Sequence, residues 1–332
     1  MRVLVVKLSS LGDVIHTLPA LTDASRAMPG IRFDWAVEEA FAEIPAWHPA
    51  VDRVIPVALR RWRKHPLQSF GSPEWRRCKA NLRRQHYDAV IDAQGLLKSA
   101  FIARLVKAPR YGMDKMSARE RLASLFYHHR VRVPLQLHAV ERIRVLFARS
   151  LKYPLPSQRG EYQVRVKLQR GTQKQTASVL FFHSTARAEK LWPEAHWIQL
   201  AQLAAERGYQ VWLPWGSQAE RERADRIAAA DGHAQVLPRL DLLGLVSMLM
   251  EVAGAVAVDT GLAHLSAALD VPTVSLYGPT NTALIGAYGR NQVHIQSPVG
   301  VSDTSDPIEM MQSISADHVW REVERAVSAS TL

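Results

Sequence analysis

Short, wholly apolar runs that end abruptly in small polar turns restrict the fold of this chain more than any other feature. Val3, Leu4, Val5 and Val6 lead into the turn SSLGD at 9–13, and AVI at 89–91 leads into DAQGL. In the second half, VLFF at 179–182 leads into HSTAR, and AVAV at 255–258 leads into DTGLAH. Apolar runs this short, bounded by turn residues, are typical of strands buried on both faces of a parallel sheet. After the first turn, Val14, Leu18, Leu21 and Ala24 recur at helical spacing, up to a stop at Pro29 and Gly30. Strand, turn, helix, strand is the signature of an α/β fold with a doubly wound parallel sheet.

The same pattern can be followed along the chain. Residues 33–37 and 54–57 read as further strands of the first half. Between about 153 and 175 the texture changes to Pro, Gln, Gly, Lys and Thr with little periodicity, which suits a domain boundary. The pattern then restarts with a helix over 196–207 stopped by Gly208, a strand over 209–214 and a charged helix over 220–230. A last clear strand spans 272–277 and a final helix 316–329. At 332 residues the chain is long for a single core and fits two such domains. Two open α/β domains facing a central cleft would present the carboxyl ends of their strands, and the polar turns, to ligands.

Composition sets limits on partners. A hydrophobic content of 47% is that of a globular protein. The net charge of +11 calls for an anionic partner: nucleic acid, an acidic membrane surface or a phosphorylated substrate. The single cysteine, Cys78, excludes an internal disulfide and agrees with a reducing compartment. Lys7 interrupts the first apolar run, so no secretory signal is expected. The apolar stretch 242–258 is broken by Glu251 and Gly254 and reads as a buried helix followed by a buried strand, not a membrane span.

Four places could carry chemistry. In the 9–13 turn, Asp13 reads either as a helix-capping carboxylate or as a general base at a strand end. In the 259–264 turn, Gly261 lets a ligand approach the backbone while a new helix offers unpaired N–H groups to a phosphate. There His264 reads either as a packed residue or as a ligand contact. Thr185, Arg187 and Lys190 put a hydroxyl and two cations at a third strand end, suited to a pyrophosphate leaving group or merely to a solvated loop. The run RRWRKH from Arg60, continued by basic residues to Arg84, is a solvated face or a surface for an acidic acceptor or anionic lipid. No helix-turn-helix, RNA-binding or zinc-finger pattern accompanies it, so nucleic acid is not expected as a partner. The chain lacks an Asp-X-Asp motif, a phosphate-loop motif and a G-x-G-x-x-G fingerprint, which argues against a kinase or a classical dehydrogenase.

Taken together, VLVVKLSSLGDVIHTLP from Val3, FDWAVEE from Phe33, RVIPVALRRWRK from Arg53, YDAVIDAQGLLKSA from Tyr87, HAVER from His138 and VDTGLAHLSAALDVPTVSLYGPT from Val258 closely resemble the ADP-heptose:lipopolysaccharide heptosyltransferase family. The likeness spans nearly the whole chain and is weakest from about 153 to 175. The DAQGLLKSA and RRWRK segments resemble members that add the first heptose.

That resemblance implies a GT-B fold of two Rossmann-like domains. Residues 1–160 would bind the acceptor, 161–315 the nucleotide sugar, and 316–332 would form a helix packing back toward the first domain. The reaction would be inverting and metal-independent, with no cofactor. It would pass L-glycero-D-manno-heptose from ADP-heptose to Kdo of Kdo-lipid A at the cytoplasmic face of the inner membrane. Asp13 would be the catalytic base. Thr185, Lys190, Thr260 and Gly261 would hold the diphosphate, Glu220 the ribose, and Asp259 and His264 the heptose. Ser10, Gly12, Arg60, Arg61, Arg63, Lys64 and Arg119 would meet the acceptor. Where the family often has two adjacent threonines, this chain has Thr185 and Ala186. The missing hydroxyl donor costs on the order of 1.5–3 kcal/mol unless Ser184 or a water replaces it. A heptose-terminated acceptor, a non-catalytic nucleotide-sugar module and a nucleic-acid-binding protein are the competing readings.

Overall fold

A computed structural model describes residues 1–69, 71–164, 175–300 and 306–330. The chain divides into two compact units, Met1–Val166 and Lys167–Leu332. The junction falls in residues 165–174, which lie outside the described residues, as does the latter part of the expected linker.

The first unit holds six parallel strands: β1 (Arg2–Val6), β2 (Arg32–Glu38), β3 (Val51–Val57), β4 (Ala89–Asp92), β5 (Arg110–Met113) and β6 (His129–Val131). Their order is β3-β2-β1-β4-β5-β6. The central strands are the most apolar. In β1, Val3, Leu4, Val5 and Val6 are all fully buried, in register with Phe33 to Ala36 of β2 and with Ala89 to Asp92 of β4. One face is covered by a cluster in which Leu4, Val6 and Val90 of the sheet meet Trp62, Leu82 and Ile102 from the helices. On the other, helix Leu18–Ala27 packs with helix Ala139–Leu151, and Phe33 meets Phe147 at 6.2 Å between ring centres.

The second unit repeats this plan with β7 (Gln175–Phe182), β8 (Gln210–Leu213), β9 (Ala234–Val236), β10 (Val252–Val258), β11 (Thr273–Tyr277) and β12 (Gln292–Gln296). The order β12-β11-β10-β7-β8-β9 is the first unit's order, counted from β7. Helix Ala316–Ala329 places Val319, Trp320 and Val323 in this unit's own core beside Trp192 and Trp197. The stretch 242–258 is indeed a helix, Leu242–Glu251, running straight into β10. Among the described residues no helix is long and apolar enough to cross a membrane.

Two local expectations are corrected. The helix read from Val14 to Pro29 is two helices, Leu11–Ile15 and Leu18–Ala27, because Pro19 lies in the first turn of the second helix and cannot donate to a preceding carbonyl. The strand over 272–277 is not the last, since β12 follows it at the sheet edge.

Buried charge is paired with care in the first unit. Arg144, with only 2% of its side chain exposed, donates from Nε to Asp23 (2.6 Å), from Nη1 to Glu141 (2.8 Å) and from Nη2 to the Gln158 carbonyl (2.8 Å). Burial raises the pKa of Asp23 while the Arg144 hydrogen bond opposes the rise. Replacing one partner of such a pair strands the other. Arg144→Leu is therefore expected to destabilise the protein by about 3–5 kcal/mol in urea unfolding. A loss under about 1 kcal/mol would show that Asp23 is relieved some other way.

Candidate functional site

In a sheet of this order the strand connections diverge on either side of the first and fourth strands, leaving a crevice at their carboxyl ends where ligands of open α/β sheets bind. In the first unit those strands are β1 and β4, and candidate residues gather after them. Beyond β1 the chain continues through Lys7, Leu8 and Ser9 to helix Leu11–Ile15, with a cis peptide between Ser9 and Ser10. Asp13 is the third residue of this helix, and its Oδ2 accepts from the Ser10 backbone N–H at 3.2 Å. That satisfies one orphan donor of the helix start. The same carboxylate faces two cations: Lys7 Nζ at 3.6 Å from Oδ1 and Arg119 Nη1 at 3.4 Å from Oδ2. Its side chain keeps 20% exposure. The carboxylate thus caps its helix while part of it stays open beside two cations.

The residues after β4 complete this group. Gln94 accepts the Leu8 N–H at Oε1 and donates from Nε2 to the Ser9 carbonyl, both at 2.7 Å. Lys98 donates to Ser9 Oγ at 3.1 Å, and Lys7 Nζ donates to the Ala93 carbonyl at 3.0 Å. Burial, foremost, lowers the pKa of both lysines. Lys98 also feels the charges of Glu38, Arg60, Arg63 and Asp13, which ties the basic segment to this turn.

Members of the basic segment differ in what they touch. Arg60 lies over the Phe41 ring at 5.4 Å, and its backbone N–H donates to Glu38. Arg61 is turned to Glu74 (2.8 Å) and Glu39 (3.3 Å), and its hydrogen bonds hold the Glu74 carboxyl down to about 2. Arg63 and Lys64 are exposed. Ser10 and Gly12 lie at the start of the Asp13 helix.

In the second unit the equivalent strands are β7 and β10. Thr185, after β7, donates to the Asp259 carbonyl at 3.0 Å. Lys190 pairs with Asp259 Oδ2 at 2.5 Å, and Thr280, after β11, donates to the same oxygen at 2.6 Å. Three neighbouring strands thus deliver one cluster. Thr260 is the extended residue before helix Gly261–Ala268, and His264, inside that helix, is 8% exposed. Glu220 is engaged locally. Its Oε2 accepts from the backbone N–H groups of Gly216 (2.7 Å) and Ser217 (3.2 Å), closing a capping box on helix Gln218–Asp231. Among the described residues no three His, Cys, Asp or Glu side chains gather as a metal site requires.

The sequence reading assigned no role to Lys7, Gln94, Lys98 or Thr280. The available signal was position: each lies within six residues of the end of β1, β4 or β11.

Comparison with known proteins bears on this arrangement. The family model "Glycosyltransferase family 9 (heptosyltransferase)" matches residues 75–312. Lipopolysaccharide heptosyltransferase 1 of Pseudomonas aeruginosa is 59% identical over 298 residues, 90% of this chain and 84% of that protein. The solved E. coli heptosyltransferase WaaC with ADP superposes at a TM-score of 0.90 with 47% identity, covering 98% of this chain and all of the other. The same enzyme with ADP-2-deoxy-2-fluoro heptose gives 0.86 and 45%, covering 98% of this chain and 99% of that one. This chain is a glycosyltransferase of the GT-B fold and belongs to glycosyltransferase family 9, the heptosyltransferases.

The geometry makes two predictions. Gln94→Leu removes both bonds that fix the Leu8–Ser9 backbone, so turnover is expected to fall about tenfold or more with ADP affinity unchanged. Steady-state kinetics with calorimetric ADP titration checks this, and an unaltered rate would show that Gln94 does not position the turn. In the second unit, burial pushes His183 down to about 4, against 6.5 for an open imidazole. Its folded pKa is depressed, so the unfolded chain binds the extra proton first. Stability on the order of 3 kcal/mol, complete above pH 6.5, is expected to disappear as the pH falls to about 4. Urea unfolding across that window should show a steeper loss of stability in the native protein than in His183→Gln; equal slopes would show that His183 does not carry it.

Proposed function

We propose that this heptosyltransferase transfers L-glycero-D-manno-heptose from ADP-heptose to Kdo of Kdo-lipid A, with inversion and without a metal, in lipopolysaccharide inner-core assembly. The observation that carries this reading is the position of Asp13 at the crevice of the first sheet, partly exposed and set between Lys7 and Arg119. The names of the relatives agree with it: a lipopolysaccharide heptosyltransferase 1 at 59% identity, and a solved enzyme holding an ADP-heptose analogue.

In this reading the first unit takes the acceptor and the second the nucleotide sugar. The acceptor hydroxyl attacks the anomeric carbon on the face opposite the diphosphate, and Asp13 removes its proton as the new bond forms. The carbon passes through an oxocarbenium-like state as the bond to the diphosphate oxygen breaks. ADP leaves with its charge met by Lys190, the Thr185 hydroxyl and the N–H groups of Thr260 and Gly261 at a helix start. Asp259, which already orients Lys190, and His264 contact the heptose, and Glu220 the adenosine ribose.

On the acceptor side, Ser10, Gly12, Arg60, Arg63, Lys64 and Arg119 meet the Kdo carboxylate and lipid A phosphates. Arg61 joins them only by leaving Glu74. The same positive charge draws the enzyme to the anionic cytoplasmic leaflet as a peripheral protein, an attraction of about 1 kcal/mol per basic residue near the surface that weakens with salt.

Asp13→Ala is expected to lower kcat by roughly two to four powers of ten with ADP binding preserved. A near-normal rate would remove Asp13 as the base. Wild-type ADP release should require the Kdo-terminated acceptor, should not occur with a heptose-terminated one, and should survive a chelator. Loss of activity on chelation would refute the metal-free reading.

A further inference from the structure

The first unit carries an apolar surface that the transfer chemistry leaves unused. Helix Leu97–Arg104 packs against the 3-10 turn Arg121–Phe126 through a small core of Ala100, Ala123 and Tyr127. Each element adds two large apolar side chains that this core does not cover. In the helix, Leu97 and Phe101 are one turn apart and share a face; Leu97 is 40% exposed, and Phe101, whose ring stacks on Trp75 at 6.0 Å between centres, still exposes 38%. In the tighter turn, residues three apart eclipse each other, and Leu122 and Leu125 are 61% and 64% exposed. A single exposed leucine is ordinary, but four large apolar side chains on two packed elements make a patch, and patches mark contact surfaces.

Charge selects the kind of contact. From Leu97 to Arg130 the chain has eight lysines and arginines against two acids, a balance of +6. Arg104 holds its guanidinium 5.9 Å from the Phe126 ring, at the edge of the patch. A second copy of this chain would bring the same positive charge to the contact and be repelled. An anionic bilayer offers what the patch lacks, acyl boundary for the leucines and phosphates for the cations.

The patch is also continuous with the acceptor side of the proposed site. The Leu97 N–H donates to Glu120 Oε2 at 2.6 Å, and the neighbouring Arg119 reaches Asp13. Lys98, next to Leu97, is bonded to Ser9. We propose that Leu97, Phe101, Leu122 and Leu125 enter the interfacial layer of an anionic bilayer and seat the enzyme with Asp13 at headgroup level. The inference rests on the acceptor being lipid-linked, as proposed above. It differs from general attraction by the basic segment, because the apolar side chains supply a contribution that salt does not screen.

The test pairs Leu122→Ser/Leu125→Ser with Ile308→Ser, an apolar residue 54% exposed in the second unit. Binding is measured by sedimentation with vesicles of phosphatidylglycerol mixed into phosphatidylcholine, after circular dichroism confirms folding. The double variant is expected to lose about tenfold or more of its vesicle affinity while the control keeps it. ADP release with a deacylated, water-soluble Kdo acceptor should be unchanged, and release with vesicle-embedded Kdo-lipid A should fall with the lost binding. Vesicle affinity within about twofold of wild type would overturn the proposal. So would a change of sedimenting mass in the double variant without vesicles, which would make the patch a contact between copies. Should wild type turn over neither acceptor, the functional reading fails while the vesicle measurement still decides the patch.

Discussion

The carboxamide of Gln94, bonded at both ends to the backbone of Leu8 and Ser9, is the contact on which the first site depends. The chain there has left β1 and not yet entered a helix: the Leu8 carbonyl still accepts the Glu38 N–H of β2 at 3.0 Å, while the Leu8 N–H and the Ser9 carbonyl turn to Gln94. Each would be destabilised by about 1–3 kcal/mol if left unpaired. Gln94 is itself held: its N–H donates to Asp92 Oδ1 at 2.9 Å, and Tyr127 donates to the other Asp92 oxygen at 2.7 Å. Asp92 also accepts from Gly95, whose carbonyl takes the Glu120 N–H at 3.0 Å. One buried carboxylate thereby fixes the two segments that converge on Asp13, the Ser9 turn and the approach of Arg119.

The second unit solves the same placement problem with charge. Lys190, Asp259 and Thr280 come from the ends of β7, β10 and β11 and share one carboxylate oxygen. Lys190 is mostly buried, at 13% side-chain exposure, so its ammonium stays with Asp259 and does not wander in solvent. A cation held in one place loses little further freedom when an anionic ligand arrives. The two units share a strand order and a crevice position yet hold their candidate side chains by different means.

Much of the fold was legible in the chain because buried parallel strands leave an apolar run with nothing polar to dilute it. β1, β4, β7 and β10 were read that way, and so was the helix-to-strand passage at 242–258. β5, β6, β9 and β12 escaped. RYGM, HRV, AQV and QVHIQ are short and half polar, and all but β5 lie at a sheet edge where one side meets solvent. Within the site, turns that follow an apolar run announced Asp13 and Asp259. Gln94 and Lys98 did not stand out, because what defines them is a bond to a residue 85 or more positions away. Likewise nothing local separates Arg61 from Arg63; only the fold shows that Glu74 claims the first.

Two units of 166 residues, each closing its own six-stranded sheet around its own core, make this chain a pair of separately inheritable parts. The base and acceptor residues proposed here all precede position 120, and the donor residues all follow position 184. Descent with modification can then act on one half at a time. A lineage meeting an altered lipid or a new sugar terminus can drift in its first half while the half proposed to hold the nucleotide stays under the older constraint. Divergence between related transferases would accordingly be lopsided, steep in the acceptor half and shallow around Lys190 and Asp259.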